Sequence, residues 1–418
     1  MSKLVNILTG GADRAYSLIA SEYEKNGGFA ALKKAAVSPP EEITAEIKKA
    51  HLLGRGGAAY PAGKKWEHLL HIKETPKYIV CNADEGEPGT FKDRLIMDLL
   101  PLKLLEGIVI AGFVFRAHSG HIYVRGEYRK LQRRLLLAIE NMRAAGYLGN
   151  NIAGSGFNFD IHIISGAGAY VCGENSALLN STEGKVGRPR IKPPHLAEVG
   201  LYLHPTLVNN VESFANIPVI INMGADAYLN AGHPDSGGSK LVCLSGRCKN
   251  KGVYEVPLGR VTLREIIYDP ETGGGIADGR KLKFFHLGGQ SGPIGGVDQL
   301  DTVYSYTDLK KAGLAVGSGA VVVMDESVSV IDYLKGVTEF FIHESCGKCI
   351  PCREGSRQLI KILNKLSAGA AKAADLDVMR RLIRTMTDAS FCGLGQSAAV
   401  ALNGAWKLFP EEFEGAVS

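Results

Sequence analysis

The sequence lacks the features that would make it a membrane protein. Its most apolar stretch, residues 99–115, is interrupted by Lys103 and Glu106 and is too short to cross a bilayer, which takes about 20 apolar residues. The amino terminus has no apolar core followed by a small-residue cleavage site, so Lys3 does not read as the charged start of a signal peptide. We therefore expect a cytoplasmic protein with no direct membrane insertion.

A surplus of basic charge and a disulfide framework are also missing. The 48 basic residues nearly balance the 43 acidic ones, leaving a net charge of +5 with no basic arm, which argues against nucleic acid as a partner. Eight cysteines in 418 residues are too few for a disulfide scaffold, and four of them cluster, which indicates metal binding. With 45% apolar and 22% charged residues, the composition is that of a globular protein of about three domains.

Glycine, by contrast, is abundant, and residues 54–66 concentrate it. This stretch reads Gly-Arg-Gly-Gly-Ala-Ala-Tyr-Pro-Ala-Gly-Lys-Lys-Trp, with four glycines, two lysines and two large aromatic residues. Because glycine has no Cβ, backbone amides can converge on a phosphate there, and a nearby lysine adds positive charge. We interpret the stretch as an anion cradle; a surface loop that binds nothing is the alternative.

Two standard phosphate-binding fingerprints fit this cradle poorly. Gly54, Gly56 and Ala59 match the dinucleotide fingerprint by letter, but that fingerprint follows a strand, and residues 43–53 look helical. The P-loop pattern needs Ser or Thr after its lysine, and here a second lysine follows the first. The cradle is therefore predicted from its composition and from the rest of the chain.

Polar loops follow several predicted strands. A strand at 77–81 leads into Asn-Ala-Asp-Glu-Gly-Glu-Pro-Gly at 82–89, and a strand at 160–164 leads into small residues at 165–174. The polar residues at 205–212 open another helix. Ligands bind beyond the carboxyl ends of strands, and helix amino termini hold anions. Each loop alone could be a solvated turn, but together they predict one shared pocket.

The order of the elements predicts a parallel α/β sheet in this region. Strand-like residues 121–124 and 160–164 flank an amphipathic helix at 128–145, which is the pattern of a crossover between parallel strands.

Outside this region the pattern divides the chain further. Helices are expected at 15–25 and 40–53, and residues 232–240 have the composition of a linker. A small α+β domain is predicted by short strands and one helix, in chain order 241–245, 252–256, the helix 262–268, 281–286 and 320–324. A final helical bundle is predicted by helices at 328–344, 355–366, 376–387 and 395–408.

The cysteine cluster is the most specific motif. Cys346, Cys349 and Cys352 follow the C-x2-C-x2-C pattern, and Cys392 completes a set of four thiolates suited to a [4Fe-4S] cluster. Zinc in a scaffold protein, which usually takes two separated C-x2-C pairs, and unliganded thiols are the alternatives. The remaining cysteines are dispersed, and all but the last are expected to be buried small hydrophobic residues: Cys81, Cys172, Cys243 and Cys248.

In combination, these motifs resemble the flavin-binding NADH dehydrogenase subunit of respiratory complex I and its relatives in NAD(P)-linked formate dehydrogenases and electron-bifurcating hydrogenases and transhydrogenases. The resemblance spans the whole chain. It implies an N-terminal helical segment, a Rossmann-like FMN domain, a β-grasp (ubiquitin-like) domain and a C-terminal helical bundle holding the cluster. Their bounds would be 1–53, 54–235, 240–327 and 328–418.

The resemblance also implies an activity and partners. A hydride would pass from NAD(P)H to FMN, and electrons would pass singly to the cluster and on to a thioredoxin-like [2Fe-2S] subunit and a larger iron-sulfur subunit. A nucleotide-handling subunit of a bifurcating complex, coupling NAD(P)H to ferredoxin, is the alternative. The location would be cytoplasmic, at the periphery of a membrane complex.

Site residues follow from the resemblance by position. The FMN phosphate would be held by Gly54, Arg55, Gly56, Gly57 and Lys65. The flavin would be lined by Asn82, Asp84, Gly173, Asn209 and Asn210. The nicotinamide nucleotide would face Glu85, Glu87, Tyr170, Glu174 and Lys192, with Glu85 and Glu87 as the catalytic candidates.

One position departs from the family pattern in a way that bears on the nucleotide. Asn175 stands where the family has a second glutamate, which is expected to bind the adenosine ribose 2'-OH and to repel a 2'-phosphate. Tyr60 can still stack on adenine, while His68 and Lys64 are placed to assist a phosphate. The hypothesis is that the enzyme accepts NADP(H) and can prefer it to NAD(H); the alternative is that NAD(H) stays preferred, because an amide also bonds a 2'-OH.

Overall fold

The computed structural model describes residues 4–12 and 17–416, and it divides into two compact units. The first unit comprises Met1–Gly86, Phe91–Val242 and Val253–Arg260; the second comprises Glu87–Thr90, Cys243–Gly252 and Val261–Ser418. The finer division into four domains stays a prediction. No helix within the described residues is long and apolar enough to cross a membrane.

A parallel four-stranded sheet forms the centre of the first unit. Its strands are β1 (Tyr78–Ala83), β2 (Ser119–Val124), β3 (Ile161–Ser165) and β4 (Thr206–Asn210), in the order β3-β2-β1-β4. The predicted parallel α/β sheet is therefore confirmed. Because β1 and β4 are neighbours, Asn82 pairs with Asn210, and the polar residues that end both strands lie at the same edge.

Helices surround this sheet in the first unit. They are α1 (Ala20–Lys25), α2 (Ala30–Val37), α3 (Pro40–Lys49), α4 (Ala62–His71), α5 (Lys92–Leu99), α6 (Pro101–Phe115), α7 (Arg129–Ala144), α8 (Asn175–Thr182), α9 (Val211–Met223) and α10 (Ala225–Asn230). The predicted helix 15–25 begins at Ala20, and Ala15 and Tyr16 lie outside the described residues. The predicted helix 40–53 ends at Lys49.

Helices α6 and α9 pack against each other in the apolar core of the first unit. All residues of α6 except Lys103 are buried, which explains why its sequence is apolar except for Lys103 and Glu106. A Cβ on Gly107 of α6 would lie 2.0 Å from the carbonyl oxygen of Phe214 in α9, so only glycine allows the two backbones to approach this closely. This contact places the start of α9, which directly follows β4, against the sheet edge.

A second, mixed sheet follows in the chain. Its strands are β5 (Ser239–Gly246), β6 (Gly252–Pro257), β7 (Leu282–Leu287), β8 (Ile294–Gly296) and β9 (Ala320–Asp325), in the order β6-β5-β9-β7-β8. Within the second unit, β9 pairs in parallel with β5 from Cys243 onward and antiparallel with β7, which pairs with β8. Two short helices accompany these strands, α11 (Leu263–Tyr268) and α12 (Tyr306–Lys311).

The last part of the second unit is helical. Its helices are α13 (Val330–Glu344), α14 (Ile350–Ser367), α15 (Ala373–Ala389), α16 (Gly393–Ser397), α17 (Val400–Leu408) and α18 (Pro410–Glu414). Helix α14 begins before the predicted residue 355, because Pro351 is tolerated in a first helical turn. The predicted helix 395–408 is divided into α16 and α17.

Candidate functional site

The glycine-rich cradle is a closed loop that precedes α4. The amide of Gly54 donates to the carbonyl oxygen of Tyr60 at 2.9 Å, which closes the loop at its base. Gly57 has a φ of 127°, a conformation that favours glycine. Gly56 is exposed at the opening of the loop. The loop therefore presents backbone to solvent at the predicted phosphate position.

Arg55 supports this loop from inside the protein. Its amide donates to Ser213 Oγ at 2.9 Å, and its fully buried guanidinium donates to Ser236 Oγ at 3.1 Å and to the carbonyl oxygen of Gly237 at 2.7 Å. The amide and side chain of Arg55 are thus used within the first unit. Among the predicted phosphate-binding residues, Gly56 and Gly57 are left as the candidates for amide contacts.

Lys65 adds a partly buried positive charge one turn into α4. Its Nζ donates to the carbonyl oxygen of Val208, in the middle of β4, at 3.1 Å. Burial, together with repulsion from Lys192, lowers the pKa of Lys65 to about 8. A bound anion would offset this burial cost, so the residue fits the predicted phosphate contact.

The asparagines at the strand ends are held by specific partners. Asn82 Nδ2 donates to the carbonyl oxygen of Gly173 at 2.8 Å and to Asn175 Oδ1 at 3.1 Å. Asn209 is oriented so that its amide oxygen accepts from Trp66 Nε1 at 3.1 Å. The structure therefore brings together strand β1, the start of α8 and helix α4, as the prediction of one pocket requires.

Asn210 forms the wall behind the cradle. It caps α9, because its Oδ1 accepts from the amide of Glu212 at 3.0 Å, while its Nδ2 donates to Asp93 Oδ2 at 2.6 Å. A Cβ on Gly56 would lie 3.0 Å from the Cβ of Asn210. Gly56 therefore packs on one side against the Asn210 side chain, whose amide is held in place by its hydrogen bonds.

Glu85 points into the protein. Its Oε1 accepts from the amide of Asp93 at 2.7 Å, and its Oε2 accepts from the amide of Arg94 at 3.1 Å and from Tyr128 Oη at 3.0 Å, so it caps α5. Burial and the charge of Asp93 raise its pKa to about 7, against the lowering effect of Lys92 and the two amides. In this structure Glu85 is a helix-capping residue at the edge of the predicted pocket.

Glu174 likewise caps a helix, and Lys192 pairs with it. Its Oε2 accepts from the amides of Ser176 and Ala177, both at 2.9 Å, and its Oε1 lies 2.9 Å from Lys192 Nζ. Burial raises the pKa of Glu174, but the hydrogen bonds from Ser176 and Lys192 outweigh it and hold the pKa below the usual value. The carboxylate is therefore ionised and fixed in place.

Tyr60 and His68, two of the residues predicted for the nucleotide, lie at the surface of the first unit. Tyr60 is 52% exposed, and the side chain of His68 is 49% exposed with its Nε2 3.7 Å from Glu198 Oε1. Tyr170 begins a short 3-10 helix, and a Cβ on Gly86 would lie 3.3 Å from its Cα. The amide of Asp84 donates to Asn82 Oδ1 at 3.1 Å, which shapes the loop after β1.

Glu87 belongs to the second unit. Its carboxylate accepts from the amide of Ser291 at 2.9 Å and from Ser291 Oγ at 3.2 Å. A Cβ on Gly289 would lie 2.1 Å from Glu87 Cγ, so the loop between β7 and β8 closes around this side chain. Glu85, two positions earlier in the chain, belongs to the first unit, and the role of both glutamates at the nucleotide stays a prediction.

The four cysteines of the motif lie at the ends of helices in the second unit. Cys346 and Cys349 lie between α13 and α14, Cys352 lies in the first turn of α14, and Cys392 directly precedes α16. Burial raises the pKa of Cys352, and the three other thiols lie near enough to raise it further. The structure thus brings together the four predicted ligands.

The surroundings of these cysteines fit an iron-sulfur cluster. The amide of Phe391 donates to Cys349 Sγ at 3.5 Å, a contact that stabilises a ligating thiolate. Lys348 Nζ lies 3.7 Å from the ring centroid of Phe391, and Arg353 donates to the carbonyl oxygen of Gly347 at 2.6 Å. Arg353 also pairs with Glu354 Oε1 at 2.9 Å, so these contacts order the chain on either side of Cys349.

Within the described residues, no three His, Cys, Asp or Glu side chains are arranged to hold a metal ion. The four cysteines of a cubic cluster each bind a different iron and so stand farther apart than the ligands of one ion. The dispersed cysteines Cys81, Cys172 and Cys243 are buried as predicted, and Cys248 is buried as well.

A group of buried charges beside Asn210 was missed by the sequence analysis. It consists of Lys92, Asp93, Glu212 and Lys240, which form ion pairs in the first unit. Glu212 was part of a predicted polar cluster, but its ion pairs were not predicted. The sequence feature that could have indicated these ion pairs is the charged run Lys-Asp-Arg at 92–94, which opens a helix directly after the polar loop.

The first unit offers a glycine cradle at the carboxyl ends of parallel strands, and the second offers four convergent cysteines. Together they define the class of electron-transfer oxidoreductases that carry an organic cofactor and an iron-sulfur cluster. Comparisons identify both regions. Residues 47–219 match the family described as Nuo51 FMN-binding domain, and residues 332–416 match the NADH-ubiquinone oxidoreductase-F iron-sulfur binding region.

Relatives extend the match to nearly the whole chain. The NADH-quinone oxidoreductase F 2 subunit of Rhizobium meliloti (strain 1021) is 44% identical over 394 residues, covering 94% of this chain and 93% of the relative. The HndC subunit of the NADP-reducing hydrogenase of Solidesulfovibrio fructosivorans is 43% identical over 387 residues, covering 93% of this chain and 78% of the relative. The crystal structure of an NAD+-reducing [NiFe]-hydrogenase in the H2-reduced state superposes with a TM-score of 0.84 at 34% identity, covering 92% of this chain and 63% of that longer chain.

The chain belongs to the family of NADH-quinone oxidoreductase F subunits. It is therefore an oxidoreductase subunit of a larger complex, a flavoprotein of the NAD(P)H dehydrogenase type, and its cofactors are FMN and a [4Fe-4S] cluster. The alternative of a zinc-stabilised scaffold has no support in these matches.

Proposed function

We propose that this chain carries out hydride transfer between NAD(P)H and FMN at the cradle of its first unit and passes electrons to the cluster of its second unit. The observation that carries the proposal is the packing of Gly56 against the capping residue Asn210, with the partly buried Lys65 on α4, the helix that follows the loop. FMN, when bound, supplies both two-electron and one-electron chemistry.

The residues of the cradle have separate roles in this proposal. The amides of Gly56 and Gly57 and the ammonium of Lys65 bind the FMN phosphate. Asn82 and Asn210, fixed by their hydrogen bonds, line the flavin together with Asp84, Gly173 and Asn209. Glu85 and Glu87 lie near the nucleotide in this proposal and help to position it. A role in positioning suits Glu85, because its carboxylate already accepts from two amides and from Tyr128.

A finer division of the fold is part of the proposal. The strand order β3-β2-β1-β4 supports a Rossmann-like FMN domain, and the mixed second sheet with α11 and α12 supports a β-grasp domain at about residues 240–327. The helices from α13 to α18 support a C-terminal helical bundle that holds the cluster.

We further propose that the enzyme accepts NADPH as well as NADH. Asn175 is neutral, and its Oδ1 accepts from Asn82, so it places no negative charge at the position of the family glutamate. One relative with 43% identity is a subunit of an NADP-reducing hydrogenase. Glu198 Oε1 lies 3.7 Å from His68 Nε2, so a carboxylate remains close to a residue predicted to assist the 2'-phosphate. This carboxylate favours use of both NADH and NADPH over a strict preference for NADPH.

The partners proposed for the complex are a thioredoxin-like [2Fe-2S] subunit and a larger iron-sulfur subunit, which would receive electrons from the cluster. The proposed location is cytoplasmic, at the periphery of a membrane complex. A role in a bifurcating complex with ferredoxin is a second candidate, favoured only by the hydrogenase relatives.

Anaerobic stopped-flow reduction of the purified protein by NADH and by NADPH, followed at the flavin absorption band, tests the function. We expect bleaching by both nucleotides. An Asn175→Glu variant should lose reduction by NADPH while keeping reduction by NADH. If neither nucleotide reduces a protein that carries FMN and iron, the proposed hydride step is wrong; if only NADH does so, the dual specificity is wrong.

A further inference from the structure

Lys92 is a buried lysine next to the cradle. It is 1% exposed, and its Nζ lies 2.6 Å from Asp93 Oδ1, 3.0 Å from Glu212 Oε2 and 3.2 Å from Asn210 Oδ1. Burial alone would lower its pKa, but Asp93, Glu212 and Glu85 raise the pKa well above the usual value. The ammonium is therefore charged.

The Lys92–Asp93 ion pair determines how Asn210 is oriented. Lys92 Nζ donates to the amide oxygen of Asn210, and Asp93 Oδ2 accepts from its amide nitrogen at 2.6 Å. Because the pair supplies a donor to one end of the amide and an acceptor to the other, a rotated amide would lose both contacts. The side chain so oriented is the one against which Gly56 packs.

Lys240 provides an internal comparison. It is fully buried, and its Nζ lies 2.6 Å from Glu212 Oε2, the same oxygen that Lys92 contacts. It also donates to the carbonyl oxygen of Leu241 at 2.9 Å. Both lysines thus neutralise Glu212, but the contact with the Asn210 amide is made by Lys92.

We propose that Lys92 is a positioning residue of the flavin site: through Asn210 it holds the wall of the cradle in the conformation that receives FMN. The inference rests on the assignment of FMN to this cradle. Asn210 already caps α9, and the buried pair beneath it removes the remaining rotational freedom of its side chain. The cradle is thus organised before the cofactor arrives, which reduces the ordering cost of binding.

The test compares FMN binding by two variants of the full chain, Lys92→Met and Lys240→Met. FMN is removed, and its dissociation constant is measured by quenching of flavin fluorescence, with iron per chain and thermal unfolding recorded alongside. We expect Lys92→Met to weaken FMN binding roughly 10- to 100-fold and Lys240→Met to change it less than about 3-fold, since both lose a buried charge but one loses the Asn210 contact. Equal effects of both variants would overturn the proposal.

A double-mutant cycle with Asn210→Ala separates positioning from general stability. If Lys92 acts through Asn210, Lys92→Met adds nothing to the FMN dissociation constant in the Asn210→Ala background. If the two effects are additive, the proposal is wrong. If Lys92→Met does not fold, the double variant Lys92→Met/Asp93→Asn replaces it in the same cycle. This double variant removes the ion pair without leaving an unpaired charge.

A failure of the inference about Lys92 can be distinguished from a failure of the proposed function. Wild-type protein that binds FMN but is reduced by neither nucleotide contradicts the function and leaves this test intact. Wild-type protein that is reduced normally, with Lys92→Met binding FMN as tightly as wild type, contradicts this inference alone.

Discussion

Gly395 approaches Cys352 so closely that a Cβ on the glycine would lie 2.8 Å from the Cβ of the cysteine. The same Cβ would lie 2.7 Å from Ser390 Cβ, so the start of α16 is packed tightly on both sides. Gly393, two residues earlier in the same helix, has no atom within 4 Å of its Cβ position. Gly395 is therefore required for close packing against Cys352, whereas Gly393 has room for a side chain.

Gly395→Ala is therefore expected to displace Cys352 and to lower the iron and acid-labile sulfide content of the purified protein to less than half of the wild-type value. The physical reason is overpacking against a cluster ligand, which costs about 1–3 kcal/mol. Gly393→Ala is the matched control and should keep a full cluster. Normal iron content in both variants would show that the helix shifts without moving the cysteine.

FMN affinity should depend on pH through Lys65, whose pKa of about 8 is lowered by burial and by Lys192. Below pH 8 the ammonium is charged before FMN arrives. Above pH 8 it is neutral, and binding of the phosphate requires uptake of a proton, so affinity should fall up to about tenfold per pH unit. Calorimetry in buffers of different ionisation enthalpy measures the uptake.

Lys65→Met provides the control for this pH dependence. The variant should bind FMN more weakly at pH 7 and should show no proton uptake between pH 8 and 10. Wild-type affinity that is constant from pH 7 to pH 10 would mean that Lys65 is not next to the phosphate.

Acid should weaken the second unit through His286. Its Nε2 donates to the carbonyl oxygen of Gly292 at 2.9 Å, and its Nδ1 then accepts from Tyr333 Oη at 2.8 Å. Burial lowers its pKa to about 4, so the folded state binds fewer protons than the unfolded state between pH 6.5 and pH 4. Stability is fully present above pH 6.5 and should fall by about 1.4 kcal/mol per pH unit below it.

Hydrogen exchange of the amides at residues 286–292, at pH 7 and pH 5.5 and corrected for intrinsic rates, measures this effect. His286→Gln keeps one donor and one acceptor without a titrating group, so the loss of protection at pH 5.5 should disappear in this variant. Equal losses in wild type and variant would assign the acid sensitivity to another group.

Close helix packing at Gly63 should be essential for the position of α4. A Cβ on Gly63 would lie 2.4 Å from the Cα of Lys48 in α3, where only backbone movement can relieve the contact. Gly63→Ala should lower the stability by about 1–3 kcal/mol and reduce FMN occupancy, because α4 carries Lys65. Gly336→Ala, on an open face of α13, is the control, and denaturation with flavin analysis checks both.

Several features could be predicted from the sequence because they depend on residues close together in the chain. The spacing of Cys346, Cys349 and Cys352 specifies a cluster motif without reference to the fold. The succession of strand, helix and strand favours a parallel connection, and the asparagines near the ends of β1 and β4 pair at one sheet edge. The glycine cradle was recognised from its composition, because glycine is the residue that permits a positive φ and close approach.

Only the tertiary structure decided which side chains meet across long separations. Arg55 bonds to Ser213 and Gly237, the Glu85 carboxylate accepts from an amide of α5, and Glu87 belongs to the second unit.

By itself, then, the sequence determined the order of the main strands of the parallel sheet, the cysteine motif and the glycine-rich composition of the cradle, since periodicity and spacing are local properties. The tertiary structure decided that Lys92 and Asp93 orient Asn210, a residue 117 positions away from Asp93. The reason is physical: a buried charge must find a partner, but which charge it finds depends on how helices α5 and α9 pack, and no local pattern encodes that choice.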